Sequence, residues 1–311
     1  MKTTNYSTPI SYSKKENSSD QLLLINTKYK GFLQKVGLDS FANIWSLKKG
    51  ELIKRKKERS VFKVQFPLKD DPDKKQSQPE ETDAVFYIKK HRQKISLFQR
   101  LIYLFSSNQA HADGLKEFYH YCNFRNNGLG TAIPVAAGMK WSSFFHVDSF
   151  LITEDYKPFV DLEHFILNIS SILQGTENQE KRNNILREIA LYARRMHNSN
   201  MNHKDFNATH ILLHDIESDR PEVALFDLQH VNTNRFSKFR WPIKALAELS
   251  FSLPSFIFND KDKIFLFENY KNSANLSLLD RLQYYWITKK TERIARHSDK
   301  RGLAPKAHSS N

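Results

Sequence analysis

Two carboxylates, Asp205 and Asp227, frame the stretch of this chain that is richest in reactive side chains. The first lies in Met201-Asn-His-Lys-Asp-Phe-Asn-Ala-Thr-His-Ile-Leu-Leu-His214 and the second in Leu225-Phe-Asp-Leu-Gln229. His203 stands two residues before Asp205, Asn207 two after it and His210 five after it. Transfer of a phosphoryl group to a hydroxyl uses such a set: one carboxylate orients the attacking oxygen, and another holds a divalent cation on the phosphates. A chain-borne cation near the phosphates completes it, and Lys89, toward the end of an apolar strand, is the candidate.

Those side chains need rigid elements behind them. The 84–91 run Ala-Val-Phe-Tyr-Ile-Lys-Lys-His reads as a strand whose alternation puts Val85, Tyr87 and Lys89 on one face, with Phe86, Ile88 and Lys90 on the other. Residues 112–126 read as a helix, since Leu115, Phe118, Tyr119 and Cys122 repeat at helical spacing; Glu117 lies off that stripe, the usual place for a surface carboxylate. Gly128 and Gly130 end it. The longest helix is expected over 179–198, where Ile185, Ile189, Tyr192, Ala193 and Met196 form a continuous apolar stripe with Arg182 and Arg187 elsewhere. It runs straight into the polar loop that holds Asp205. Residues 149–155, Ser-Phe-Leu-Ile-Thr-Glu-Asp, read as a strand ending in acids, and shorter helices are expected over 162–174 and 244–253.

Elsewhere the reading is coarser. Residues 1–20 are polar and are expected to form a flexible arm, followed over 21–47 by a helical lead-in marked by Leu38, Phe41, Ile44 and Trp45. Residues 48–66 suit a hairpin; its many lysines and arginines either cover phosphates or form a solvated edge. Residues 69–83 read as a loop, 96–106 as an apolar and basic helix, and 281–306 as a basic tail with an amphipathic start.

The chain has 311 residues, 40% hydrophobic and 13% aromatic, enough for one large or two modest domains. One cysteine, Cys122, excludes an internal disulfide framework and suits a reducing compartment. No apolar run reaches the roughly 20 residues that span a bilayer, and the polar start does not read as a secretory signal. A net charge of +14 points to an anionic partner (nucleic acid, an acidic membrane surface or a phosphorylated substrate) or simply to solubility. No zinc-finger, helix-turn-helix or RNP-like motif supports nucleic acid.

The segment Asn202-His-Lys-Asp-Phe-Asn-Ala-Thr-His-Ile-Leu-Leu resembles the catalytic loop of the bacterial lipopolysaccharide core kinases, which phosphorylate inner-core heptose. Phe86-Tyr-Ile-Lys-Lys-His is similar to their lysine strand, Lys116-Glu-Phe to the helix with the paired glutamate, and Phe150-Leu-Ile-Thr-Glu-Asp to their hinge. Phe226-Asp-Leu-Gln-His stands where many kinases have Asp-Phe-Gly, and Arg240-Trp before Lys244-Ala-Leu extends the likeness over roughly 84–253. The resemblance implies an α+β, two-lobed protein-kinase-like fold: a small β-rich N-lobe with one main helix over 48–155, and a larger helical C-lobe with a basic tail over 156–311, after the arm and lead-in of 1–47. It implies ATP and Mg2+ as cofactors. Asp205 would orient the acceptor hydroxyl, Lys89 would hold the ATP phosphates with Glu117 fixing it, Glu154 would lie at the nucleotide hinge, and Asp227 would bind metal. His210 and Asn207 are alternatives for a further metal or phosphate contact, imidazole being a poor magnesium ligand. The implied acceptor is a lipid-linked core oligosaccharide, met at the anionic cytoplasmic face of an inner membrane, with the protein cytoplasmic and peripheral. The competing readings are a kinase for 3-deoxy-manno-octulosonic acid or another small acceptor, and a non-catalytic basic protein that binds membrane or nucleic acid.

Overall fold

The computed structural model describes residues 9–18, 20–66, 84–100, 112–233 and 240–299. The loop expected over 69–83, most of the helix expected over 96–106 and the tail beyond 299 lie outside the described residues. The chain divides into two compact units, residues 1–126 with 132–156, and residues 127–131 with 157–311.

The first unit is built on a seven-stranded antiparallel sheet. Its spatial order is Tyr12–Ser18, Gln21–Asn26, Pro134–Ser143, His146–Glu154, Ala84–Lys94, Arg59–Phe66 and Glu51–Lys56. On one face Leu23, Ile25, Phe86, Ile88, Phe150 and Ile152 join Leu33, Leu38, Phe41 and Ile44 from the short helices Lys30–Lys35 and Phe41–Ser46 in one core. Phe41–Ser46 starts at Ser40, whose hydroxyl accepts the Asn43 amide at 3.2 Å. The helix Asp113–Asn126 packs against Pro134–Ser143 and His146–Glu154. The Glu51–Lys56 strand at the sheet's end is exposed throughout and charged, which discourages edge-to-edge pairing.

The lead-in is helical at Lys30–Lys35 and Phe41–Ser46, but the described part of the expected arm and the start of the lead-in are corrected to two strands. Tyr12–Ser18 pairs with Gln21–Asn26, and the Tyr12 ring meets Phe118 and Tyr119 at 5.5 and 6.1 Å. Leu22, Leu23, Leu24 and Ile25 are all buried because the Gln21–Asn26 strand is covered on both faces. Such a strand has no polar alternation, so periodicity does not separate it from a turn of helix.

In the second unit the helix Gln179–Asn198 is central, and all five residues of its expected stripe are buried. Arg182, expected off the stripe, is buried too. It donates to the carbonyls of Leu173 and Gly175 at 2.6 and 2.7 Å and lies 3.5 Å from Asp262. Paired with a carboxylate and hydrogen-bonded to carbonyls, a guanidinium can replace apolar packing. A four-stranded sheet runs Gly130–Thr131, Glu222–Leu225, Ile211–His214, Val160–Asp161; its first pair is parallel. Residues 127–131 thus leave the first unit to supply a strand to the second. Asn202–His203 pairs with Val231–Asn232, and the helices Arg240–Ser252, Asp260–Lys271 and Leu278–Asp299 follow. The helix expected over 162–174 is shorter, Leu162–Asn168 followed by a single 3-10 turn at Ser170–Ile172.

Gly114 lets the Asp113–Asn126 helix approach the sheet: a Cβ there would stand 2.4 Å from the Phe150 carbonyl oxygen, a backbone atom that cannot swing aside. Gly114→Ala is expected to cost about 1–3 kcal/mol by overpacking, read as a lower urea midpoint at unchanged slope.

Candidate functional site

The site residues fall into two sets, one in each unit. In the first, pairing with the neighbouring strands on both sides fixes the Ala84–Lys94 strand, with Lys89 opposite Val61 and Leu151. Its alternation sends Phe86 and Ile88 into the core. Lys90 turns to that same side, where its ammonium donates to the carbonyls of Trp45 and Leu47 at 2.8 and 3.0 Å. Lys89 takes the opposite face and donates to Glu117 Oε1 at 2.6 Å. Glu117 is fully buried, not on the surface where its place off the apolar stripe would put it. A carboxylate in that environment is tolerable only when paired and hydrogen-bonded.

The strand over His146–Glu154 ends beside this pair's strand. The Asp155 amide donates to Val85 O at 3.0 Å, and Tyr156 stacks on Tyr87 with ring centroids 5.9 Å apart. Burial, then the nearby Asp155 carboxylate, push the Tyr87 phenol up to about 12. The Glu154 carboxylate accepts a hydrogen bond from the Tyr29 hydroxyl, and its amide donates to Ile133 O at 2.9 Å.

The second set is organised by His203. Its Nε2 lies 3.0 Å from the carbonyl oxygen of Asp227, so that nitrogen carries the proton and donates. Its Nδ1 is buried with no partner among the described residues. Protonating Nδ1 would strand a donor, and burial lowers the imidazole pKa to about 4, against smaller opposing effects from the Asp227 carbonyl and the Asp205 and Asp227 carboxylates. His203 is therefore neutral, with both candidate carboxylates close enough to act on it. The His210 ring lies 5.4 Å from that of His203 and 5.5 Å from that of Phe226. Asp227 itself adopts a left-handed backbone, φ 58° and ψ 55°, which Asp tolerates better than most residues and which is common where function fixes a side chain.

Asn207 Oδ1 has three donors around it: the Thr209 amide at 3.1 Å, the Thr209 hydroxyl at 2.6 Å and His210 Nδ1 at 3.1 Å. The loop is further tied by the Ala208 amide to Ser252 Oγ at 2.9 Å and the Lys204 amide to His230 O at 3.1 Å. Among the described residues no group of three or more His, Cys, Asp or Glu is arranged to hold a metal. A magnesium ion on nucleotide phosphates needs only one or two protein carboxylates, and Asp227 offers the hard oxygen it prefers.

Two further groups were not singled out in the sequence. His197 fits its neutral form: Nε2 meets Asn202 Oδ1 at 3.1 Å and Nδ1 meets the Tyr270 hydroxyl at 3.0 Å, one donor and one acceptor, and burial lowers its pKa to about 4. Glu248 is half-buried, and its carboxyl pKa is raised by burial first; Asp205 adds to the rise while Lys244 and Lys290 oppose it. The spacing of Arg240, Lys244 and Glu248, four residues apart on one helix, is the signal that could have found it.

The lipopolysaccharide kinase (Kdo/WaaP) family model matches residues 76–270, which include Lys89, Glu117, Asp205 and Asp227. The chain is 27% identical over 180 residues to the lipopolysaccharide core heptose(I) kinase WaaP of Pseudomonas aeruginosa, covering 56% of this chain and 66% of that one. It is 29% identical over 131 residues to the Escherichia coli protein of the same name, covering 41% and 48%. The chain thus spans between about half and two thirds of the length of these relatives. A solved structure described as WaaP in complex with acyl carrier protein matches with a TM-score of 0.61 at 20% identity, over 88% of this chain and 98% of that one. The fold is accordingly α+β and protein-kinase-like.

Two outcomes test the electrostatics. Lys89→Met alone is expected to cost about 3–5 kcal/mol because it leaves Glu117 buried without its ammonium, whereas Lys89→Met with Glu117→Met recovers most of that loss; chemical denaturation of the three proteins measures it. A second expectation concerns acid. His197 and His203 have folded pKa values near 4 against 6.5 for the free side chain. A depressed base is protonated in the unfolded chain first, so stability is full above pH 6.5 and falls toward pH 4, by up to about 3 kcal/mol for each. Urea unfolding across that range should show uptake of nearly two protons; a flat profile would contradict two neutral buried imidazoles.

Proposed function

The chain belongs to the lipopolysaccharide kinase (Kdo/WaaP) family, and on that premise we propose that it transfers the γ-phosphate of ATP to a hydroxyl of an inner-core lipopolysaccharide sugar, a heptose. The observation that carries this reading is the loop around neutral His203, which links the backbone of Asp227 to the loop bearing Asp205. In the reaction the acceptor oxygen bonds to the γ-phosphorus as the bond to the β–γ bridging oxygen breaks. Asp205 orients the hydroxyl and receives its proton, and Lys89, steered by Glu117, offsets phosphate charge. Asp227 would hold Mg2+, which when bound neutralises the nucleotide phosphates. Asn207 is assigned to holding the loop, because its oxygen is already engaged by three donors. Those contacts direct His210 Nδ1 into the loop. At Glu154 the backbone, not the carboxylate engaged by Tyr29, is the group for the nucleotide base.

A lipid-linked acceptor brings the protein to a membrane. No helix among the described residues is long and apolar enough to cross one. Leu278, Leu279, Leu282, Tyr285 and Trp286 are exposed on the helix Leu278–Asp299, beside Arg281 and Lys289. Apolar and basic side chains together suit the surface of an anionic leaflet, and this supports peripheral attachment at the cytoplasmic face.

Asp205→Asn is expected to lower transfer by at least about a hundredfold, as loss of an acid–base group does, while the thermal midpoint stays near that of the unaltered protein. Labelled ATP with heptose-terminated and 3-deoxy-manno-octulosonate-terminated core acceptors gives the measurement. Phosphate appearing on neither acceptor would remove the reading, and phosphate on the second alone would move the acceptor.

A further inference from the structure

The second unit contains a cavity of about 380 Å³ that the reaction above does not use. It is lined by Lys204, Arg240, Lys244, Lys290 and Arg293, with Trp241 among them. Three separate segments supply these cations: the loop that carries Asp205, the start of the Arg240–Ser252 helix and the second half of Leu278–Asp299. Glu248, which acts on Lys244 and Lys290, and Asp205, which follows Lys204, offset part of this charge. Five cations brought to one cavity repel one another, and an anion there would relieve the repulsion. Trp241 is 3% exposed, and its indole Nε1, which can only donate, has no hydrogen-bond partner among the described residues. A buried donor of that kind is matched by an oxygen acceptor.

We infer that this cavity is an oxyanion subsite for the acceptor, taking a carboxylate or phosphate group carried beside the sugar that receives the phosphoryl group. The ligand assignment rests on the kinase reading; the anion-binding chemistry stands on the cavity alone. Position favours the acceptor over the nucleotide. Lys204 immediately precedes Asp205, which orients the acceptor, and Glu248 beside the cavity cations also acts electrostatically on Asp205. The reaction proposed above assigns other residues, Lys89 and Asp227, to the nucleotide. An acceptor that already bears charged groups could then be held by them, leaving its neutral hydroxyl free to meet Asp205. Neutral sugars of the same shape would gain nothing from the cavity, so it selects by charge.

The test separates this inference from the kinase reading. Thermal unfolding of the full chain is followed in millimolar malonate and in millimolar glycerol 1-phosphate, each against chloride of equal ionic strength and without magnesium. At least one probe is expected to raise the midpoint of the unaltered protein and of Lys89→Ala. In Lys290→Gln/Arg293→Gln, that shift should be lost. A response to malonate alone identifies a carboxylate as the ligand group, and a response to glycerol 1-phosphate alone identifies a phosphate. No shift with either probe, or a shift kept in the double variant, would overturn the subsite even if phosphoryl transfer is intact. With acceptor, the double variant should raise the acceptor KM by roughly tenfold to a hundredfold, the scale of one to two lost charged contacts, without a matching rise in the KM for ATP; a parallel rise in both would also overturn it.

Discussion

The burial of an ionised pair governs the first unit. Glu117 has no exposure and Lys89 little, so neither charge is stable in place unless the other arrives within hydrogen-bond distance. That requirement fixes the register of the Ala84–Lys94 strand, because a slip of one residue would present Lys90 to the glutamate and turn Phe86 and Ile88 out of the core. It fixes the depth of the helix as well, since Gly114 sits one turn before Glu117 and allows the backbone approach to Phe150. The aromatic-rich core on the other face then acts as the support that keeps the strand from yielding.

The second unit solves a different problem, fixing a polar loop to the backbone of Asp227 without adding charge. It does so through an uncharged imidazole. His203 offers one donor to the backbone carbonyl of Asp227 and brings no net charge to the loop. Asn207, Thr209 and His210 close the loop with neutral hydrogen bonds of the same kind.

Much of this was legible before any coordinates. The Ala84–Lys94 strand and the Gln179–Asn198 helix have clear periods, and alternation put Lys89 and Lys90 on opposite faces. What was not legible shares one cause: burial set by distant segments. Leu22 to Ile25 lie in a strand covered on both faces, which erases the alternation that marks strands. Glu117 and Arg182 look like surface residues because their partners, Lys89 and the carbonyls of Leu173 and Gly175, lie elsewhere on the chain. The basic cavity is hidden for the same reason, its lysines and arginines arriving from three segments.

The excursion of residues 127–131 bears on how this protein can be dissected. A fragment cut after Tyr156 would lack Gly130–Thr131, hence the outermost parallel strand of the second unit's small sheet and the Gly130 carbonyl that accepts from the Tyr192 hydroxyl at 2.7 Å. Tyr192 belongs to the central helix and is wholly enclosed, so its phenol would be left wanting an acceptor inside the fragment. No single scission therefore yields two intact halves, and genetic separation of the units has to carry the short excursion along with the larger one.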